Sequence, residues 1–262
     1  MQYSAMTSQD VYAFLGMYDL PALRPANEAW WAGLARHFAA HGVSGVPEHL
    51  DHSGIDPYDI WQSPGLFMAQ TCGYPLTHRL AAKVQLLGTP CYHAPGCDGA
   101  DYRSLIIMRT GEAAENLAGA LPGRIAVNGL DSYSGWRALV AMAPDIRSIC
   151  DIVISGGHAA SIQMVRDGAA DLAAIDGVTF ALIGDVEPEQ LAGLSVVDQS
   201  VEAPGLPYVT RADVGEDRVR PMIAAIEAAF ADPTLAQVRQ SLRLVGFANV
   251  PLADYHRCMG DR

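Results

Sequence analysis

Charge is scarce in this 262-residue chain, at 18% of residues, and positive charge is scarcer still, with 17 Lys and Arg against 29 Asp and Glu. The formal net charge is −12 with histidine neutral. Phosphate backbones are held mainly by Lys and Arg, so nucleic acid is not expected as a partner. Any anion must instead be met locally, by oriented dipoles and hydroxyls. There is no run of 18 apolar residues, so neither a transmembrane helix nor direct membrane insertion is expected. The opening Met1-Gln2-Tyr3-Ser4-Ala5-Met6 has no basic segment followed by an apolar one, so no secretory signal is read in the sequence as given.

Familiar chemical motifs are missing too. Gly-x-Gly-x-x-Gly and the P-loop are absent, and no cofactor is expected. Gly-x-Ser-x-Gly is absent, which removes the usual setting for a Ser-His-Asp group built from Ser161, His158 and Asp176. Cys72 paired with His158 would be a nucleophile and base, but nothing near Cys72 in sequence lowers its pKa. His37 and His41 stand four apart without a neighbouring Glu, so no metal site is read. The five cysteines (Cys72, Cys91, Cys97, Cys150, Cys258) have no zinc-like spacing. Cys91 and Cys97 flank a short loop that a disulfide would close in an oxidising compartment; in a reducing one they stay thiols.

Half of the residues are apolar, with 25 glycines and 16 prolines, the composition of a folded chain rich in loops. Apolar runs predict strands at 12–18, 48–51, 65–70, 83–90, 102–109, 124–128, 152–154, 171–175 and 194–199. Helical spacing follows Asn27, read as a cap, and carries the core residues Trp30 and Trp31 to a stop at Gly42. Short helices are expected at 56–61 and 113–117, and amphipathic ones at 214–230 and 235–242 finish the chain. Strands alternating with helices predict an α/β fold with mainly parallel pairing. Passages near 90 and 205 divide it into two lobes, 1–90 with 205–262 and 91–204, with a cleft between them.

One stretch organises the rest: Asp131-Ser132-Tyr133-Ser134-Gly135-Trp136, between the strand at 124–128 and a helix from Ala138. The first backbone N–H groups of a helix have no intrahelical acceptors, and the helix dipole adds partial positive charge there. Serines and a glycine at that place let an anion meet N–H groups and hydroxyls together. By itself the turn is equally an ordinary capped helix. A second strand–turn–helix at Ser155-Gly156-Gly157-His158 repeats the pattern. Ligands of α/β sheets gather beyond strand carboxyl ends, where Tyr18, Thr71, Tyr74, Ser132, Tyr133, Ser134, His158, Ser161 and Asp176 all fall. Such a set suits a small tetrahedral oxyanion, with a protonated His158 adding charge and Asp176 accepting a ligand proton.

Ser132-Tyr133-Ser134-Gly135 after Ala126-Val127-Asn128 resembles the serine-rich turn of the phosphate, phosphite and phosphonate-binding components of ABC transporters. Ser155 to Ser161, then Val165 through Asp176, resembles that family's next segment. The resemblance implies a two-lobe fold of the type 2 periplasmic binding protein kind, with two crossing strands. It implies a solute-binding protein that closes on a small oxyanion for uptake or sensing, and a transporter permease as partner. Ser132, Tyr133 and Ser134 would hold the oxyanion, with His158 beside them and Asp176 at the ligand's far end. Tyr133 is bulkier than the small polar residue usual at that place. The resemblance implies a periplasmic location if a signal peptide has been trimmed; a sequence complete as given implies the cytoplasm. An enzyme on the same fold, acting on a small carboxylate or phosphorylated metabolite, is the alternative.

Overall fold

A computed structural model of the chain describes residues 11–112 and 114–259. The Met1–Met6 stretch, Ala113 and the side chain of Cys258 lie outside the described residues. In chain order the strands are β1 (Tyr12–Phe14), β2 (Leu66–Gln70), β3 (Val84–Tyr92), β4 (Asp101–Tyr102), β5 (Ser104–Arg109), β6 (Arg124–Val127), β7 (Asp151–Ile154), β8 (Leu172–Asp176), β9 (Leu194–Gln199), β10 (Ala203–Pro204), β11 (Tyr208–Arg211) and β12 (Leu244–Ala248). One sheet has the order β1-β2-β11-β3-β12 and the other β7-β6-β8-β5-β9. The chain passes from the first to the second through β4 and returns through β10, and these two pair antiparallel.

Pairing is mixed rather than mainly parallel. Parallel contacts join β1 to β2 and β6 to both β7 and β8. By contrast β11 runs against β2 and β3, β12 against β3, and β5 against β8 and β9. The crossings explain this: β5 and β11 each enter a sheet from the other lobe, against the strands that βα units have laid down. β2 and β8 are buried along their whole length, which is why both read as unbroken small and apolar runs instead of alternating ones.

Other sequence expectations are corrected in the same way. The first strand stops at Phe14, and Gly16–Tyr18 is a tight helical turn that brings Tyr18 to the sheet's edge. The following helix spans Arg24–Ala40 and has Pro25 in its first turn, where a missing N–H costs nothing. Asn27 is therefore inside the helix rather than its cap, and its amide donates to Asp19 Oδ1 at 3.3 Å. The 48–51 stretch forms no strand; Leu50 N–H instead donates to the Glu28 carboxylate at 3.1 Å. The helix expected at 113–117 begins only at Leu117, with Asn116 as its cap. The chain does not finish on its amphipathic helices: β12 and a helix Leu252–Met259 follow them.

Trp30 and Trp31 are core residues as expected, 1% and 0% exposed. Their cluster also takes in Val178 and Leu182 from the helix Gly177–Val186, which follows β8 in the other lobe. Two lobes thus share one apolar contact beside the crossing strands. Gly177 fits there because a Cβ would lie 2.4 Å from the Pro95 carbonyl oxygen.

Candidate functional site

The serine turn is built from β6 outward. Ser132 Oγ accepts a bond from Gly135 N–H at 3.2 Å and caps the turn. The helix opens with a π-helical turn, Tyr133–Arg137, before Ala138–Met142, a widening often found where a helix start serves a site. Its apolar side anchors in the second lobe through Trp136 and Leu139. Gly135 lies against Asn128: a Cβ there would sit 1.7 Å from Asn128 Oδ1. The turn is thereby pressed onto the end of β6.

Ser134 is 4% exposed, and its Oγ lies 2.9 Å from His158 Nε2. His158 opens the helix His158–Arg166, and Asn128 Nδ2 approaches the same ring nitrogen at 3.4 Å. Burial pushes the imidazole pKa down to about 4, with the Ala174 backbone carbonyl pulling the other way although Nδ1 makes no bond of ordinary geometry. The ring is therefore neutral at neutral pH, which corrects the expectation of a protonated His158: desolvation removes the charge. Its part is to fix the Ser134 hydroxyl. Ser161 is fully buried, and its hydroxyl meets Ser155 Oγ at 2.7 Å, with Ser155 reaching the Val127 carbonyl at 3.1 Å. That pair ties the second turn to the end of β6.

The first lobe meets this place from the other side. Tyr18 OH donates to Asp176 Oδ2 at 3.1 Å. Asp176 Oδ1 accepts from Val178 and Thr179 N–H at 2.8 and 2.9 Å, so the carboxylate caps the Gly177–Val186 helix. Burial raises the Asp176 pKa to about 6, outweighing those bonds, which favour the ionised form. Tyr92 stands edge-on to Tyr18 at 5.1 Å, and Tyr102 to Tyr133 at 6.4 Å. The Tyr102 phenol is raised well above its usual range by burial; the Ser134 hydroxyl opposes this from nearby without a bond of ordinary geometry.

Thr71 is buried with its N–H on the Pro207 carbonyl at 3.1 Å. Tyr133 lies in the apolar cluster that the two lobes share. The Tyr74 hydroxyl accepts a bond from Arg137, whose guanidinium lies 4.2 Å over the ring. Sequence reading did not mark Asn128, Tyr102, Tyr58 or Arg137 as site residues, and took Asp131 only as the start of the serine stretch. Asn128 directly follows β6 and Tyr102 lies in a crossing strand, both legible places; the partners of Tyr58, Asp131 and Arg137 are seen only in contacts across the cleft.

The Ser161-His158-Asp176 triad does not form: His158 Nε2 meets Ser134, and Asp176 is bound to Tyr18 and its own helix. Among the described residues no group of three or more His, Cys, Asp or Glu is placed to hold a metal, and no helix is long and apolar enough to cross a membrane. Cys91 and Cys97 are free thiols, and burial pushes Cys97 up to about 12.

Residues 66–255 match the family described as ABC transporter, phosphonate, periplasmic substrate-binding protein. The chain belongs to that family. This phosphonate-binding family is one of transporter components rather than enzymes, and it is typically periplasmic. Solved structures agree in fold. PhnD1 from Prochlorococcus marinus, in complex with methylphosphonate, has a TM-score of 0.73 at 11% identity over 96% of both chains. A Xanthomonas citri protein bound to ATP has a TM-score of 0.67 at 12% identity, over 95% of this chain and 97% of its own. A binding component of a phosphonate ABC transporter from Pseudomonas aeruginosa has 0.66 at 16%, over 90% of this chain and 80% of its own. Among curated proteins none matches. The two lobes are thus those of a type 2 periplasmic binding protein.

Proposed function

We propose that this family member is the receptor of an ABC uptake system and closes on a small phosphorus oxyanion of the phosphonate, phosphite or phosphate class. The observation that carries this reading is a pair of buried hydroxyls at the carboxyl ends of the neighbouring strands β6 and β8, Ser134 fixed by a neutral His158 and Tyr18, from the other lobe, fixed by Asp176. Hydroxyls and helix-start N–H groups suit a tetrahedral oxyanion. In this scheme Ser132, Tyr133 and Ser134 hold the oxyanion while Ser161 braces the second turn. Tyr18 and Thr71 face the ligand from the first lobe, and the Tyr74 ring walls it in. An ionised Asp176 disfavours a fully ionised ligand and favours one that keeps a proton to donate.

The ligand stabilises the closed form by touching both lobes. A transporter permease then recognises that form from the periplasmic side of the membrane.

Titration calorimetry with phosphate, phosphite, methylphosphonate, aminoethylphosphonate, sulfate and small carboxylates tests the reading, with Ser134→Ala as the control. Binding of one phosphorus oxyanion, weakened about tenfold or more in the variant, is the expected result. No binding across the panel, or equal binding in the variant, overturns it.

A further inference from the structure

We propose that Tyr58 and Tyr74 form a two-point clasp that grips both ends of the serine turn across the cleft and sets how long a ligand stays bound. The residence-time half of this rests on the receptor reading above; the grip itself does not.

Asp131 and Arg137 bracket Ser132–Trp136, and each is met by a tyrosine of the first lobe. At one end Tyr58 OH donates to Asp131 Oδ2 at 2.8 Å. Tyr58 belongs to the helix Pro57–Trp61 and packs on the cluster of Tyr12, Leu66, Leu80 and Val84, so it moves with that lobe. Its ring is held edge-on by Trp61 at 5.1 Å and covered by the Arg79 guanidinium at 3.8 Å. Burial and the Asp131 carboxylate both raise its pKa, which keeps the phenol a donor. At the other end Arg137 donates to the Tyr74 hydroxyl, and Tyr74 is stacked on His78 at 3.9 Å.

Both bonds have one charged partner, the stronger class of hydrogen bond. Between them the Tyr133 ring lies in the apolar cluster that the two lobes share. The turn therefore has its root in one lobe, through Trp136, and two polar holds from the other. Separating the lobes must break both before the turn is uncovered. A residue that never touches the ligand can in this way control its release, because affinity differences within one binding site are mostly differences in dissociation rate.

Small-angle scattering and amide hydrogen exchange on wild type, Tyr58→Phe and Tyr58→Phe/Tyr74→Phe decide the matter, first without ligand and then with methylphosphonate as probe. Phenylalanine keeps both rings and removes only the hydroxyls. Without ligand, the expected result is a larger radius of gyration in the double variant, with the Ser132–Trp136 amides exchanging about fivefold faster or more and the rest of the chain unchanged. With methylphosphonate, Tyr58→Phe releases the probe about tenfold faster at an unaltered association rate. Asp131→Asn, which keeps an acceptor oxygen but loses the charge, falls between wild type and Tyr58→Phe.

Unchanged scattering and exchange in the double variant overturn the clasp, as does faster exchange spread evenly over the chain. If wild type binds no methylphosphonate, the receptor reading loses its support while the ligand-free comparison still decides the clasp.

Discussion

The phenol of Tyr18 in one lobe donates, at 3.1 Å, to the carboxylate with which Asp176 caps a helix of the other. Asp176 divides its oxygens, Oδ1 for the helix and Oδ2 for the facing lobe, so its environment depends on both folding and lobe position. Close by, His158 is a buried base with no charge to offer. With His158 neutral, the groups that face Ser134 and Asp176 here are an uncharged ring and a phenol, which suits a chain with little positive charge.

Asp176 and His158 tilt stability in opposite directions with pH. The folded-state pKa of Asp176, about 6, lies above the ordinary 3.8, so between those values the folded chain binds a proton that the unfolded chain does not. Stability from this group falls as pH rises from about 4 to about 6. The folded-state pKa of His158, about 4, lies below the ordinary 6.5, so there the unfolded chain binds the extra proton and stability rises with pH. Each tilt is on the order of 3 kcal/mol when complete, and in wild type they largely cancel. Urea unfolding at a series of pH values should show Asp176→Asn losing stability on acidification through this range and His158→Asn gaining it. Parallel profiles for the two variants would refute the assignment of both groups.

Two glycines are required for space, and they differ in what can relieve the crowding. Gly135→Ala drives a methyl into the Asn128 side chain, at 1.7 Å from Oδ1, whereas Gly177→Ala meets backbone, the Pro95 carbonyl at 2.4 Å and that of Arg103 at 3.0 Å. Each should cost about 1–3 kcal/mol in denaturant unfolding, the range for overpacking. Adding Asn128→Ala should recover part of the loss at 135. No side-chain truncation should recover the loss at 177, and a rescue there by trimming a neighbour would contradict the geometry.

Much of this site was legible because βα turns write their signature locally. Strand, Ser-x-Ser-Gly, helix start at 124–142 and strand, Ser-Gly-Gly-His, helix start at 152–165 were read without a partner chain segment, and the structure brings Ser134 and His158 within 2.9 Å. What was not legible depends on distant partners. β12 is Leu-Val-Gly-Phe-Ala, too weakly patterned to declare itself until it pairs with β3, about 150 residues earlier. Antiparallel pairing at β5 and β11 follows from the crossings, which no local window contains. The charge of His158 was misjudged because its burial is a property of the assembled lobes. Tyr58 passed unnoticed since its partner, Asp131, lies 73 residues away.

Arg243 is the non-glycine residue with positive φ among the described residues, at +56°. That strained turn aims its guanidinium at Asp185 in the other lobe, with Nε and Nη2 at 2.5 and 2.6 Å from the two carboxylate oxygens, while Nη1 reaches the His93 carbonyl at 3.0 Å. The side chains are 26% and 43% exposed, so solvent screens the pair and its worth is about 1 kcal/mol or less. The left-handed backbone costs a residue with a Cβ about 1–2 kcal/mol, and a glycine almost nothing. Arg243→Ala loses the ion pair and keeps the strain; Arg243→Gly loses the pair but releases the strain. After the glycine's extra freedom in the unfolded chain is allowed for, Arg243→Gly should be more stable than Arg243→Ala by about 1 kcal/mol. Equal stabilities in urea, or alanine the more stable, would show that residue 243 does not hold this conformation in solution, and with it would go the aimed contact to Asp185.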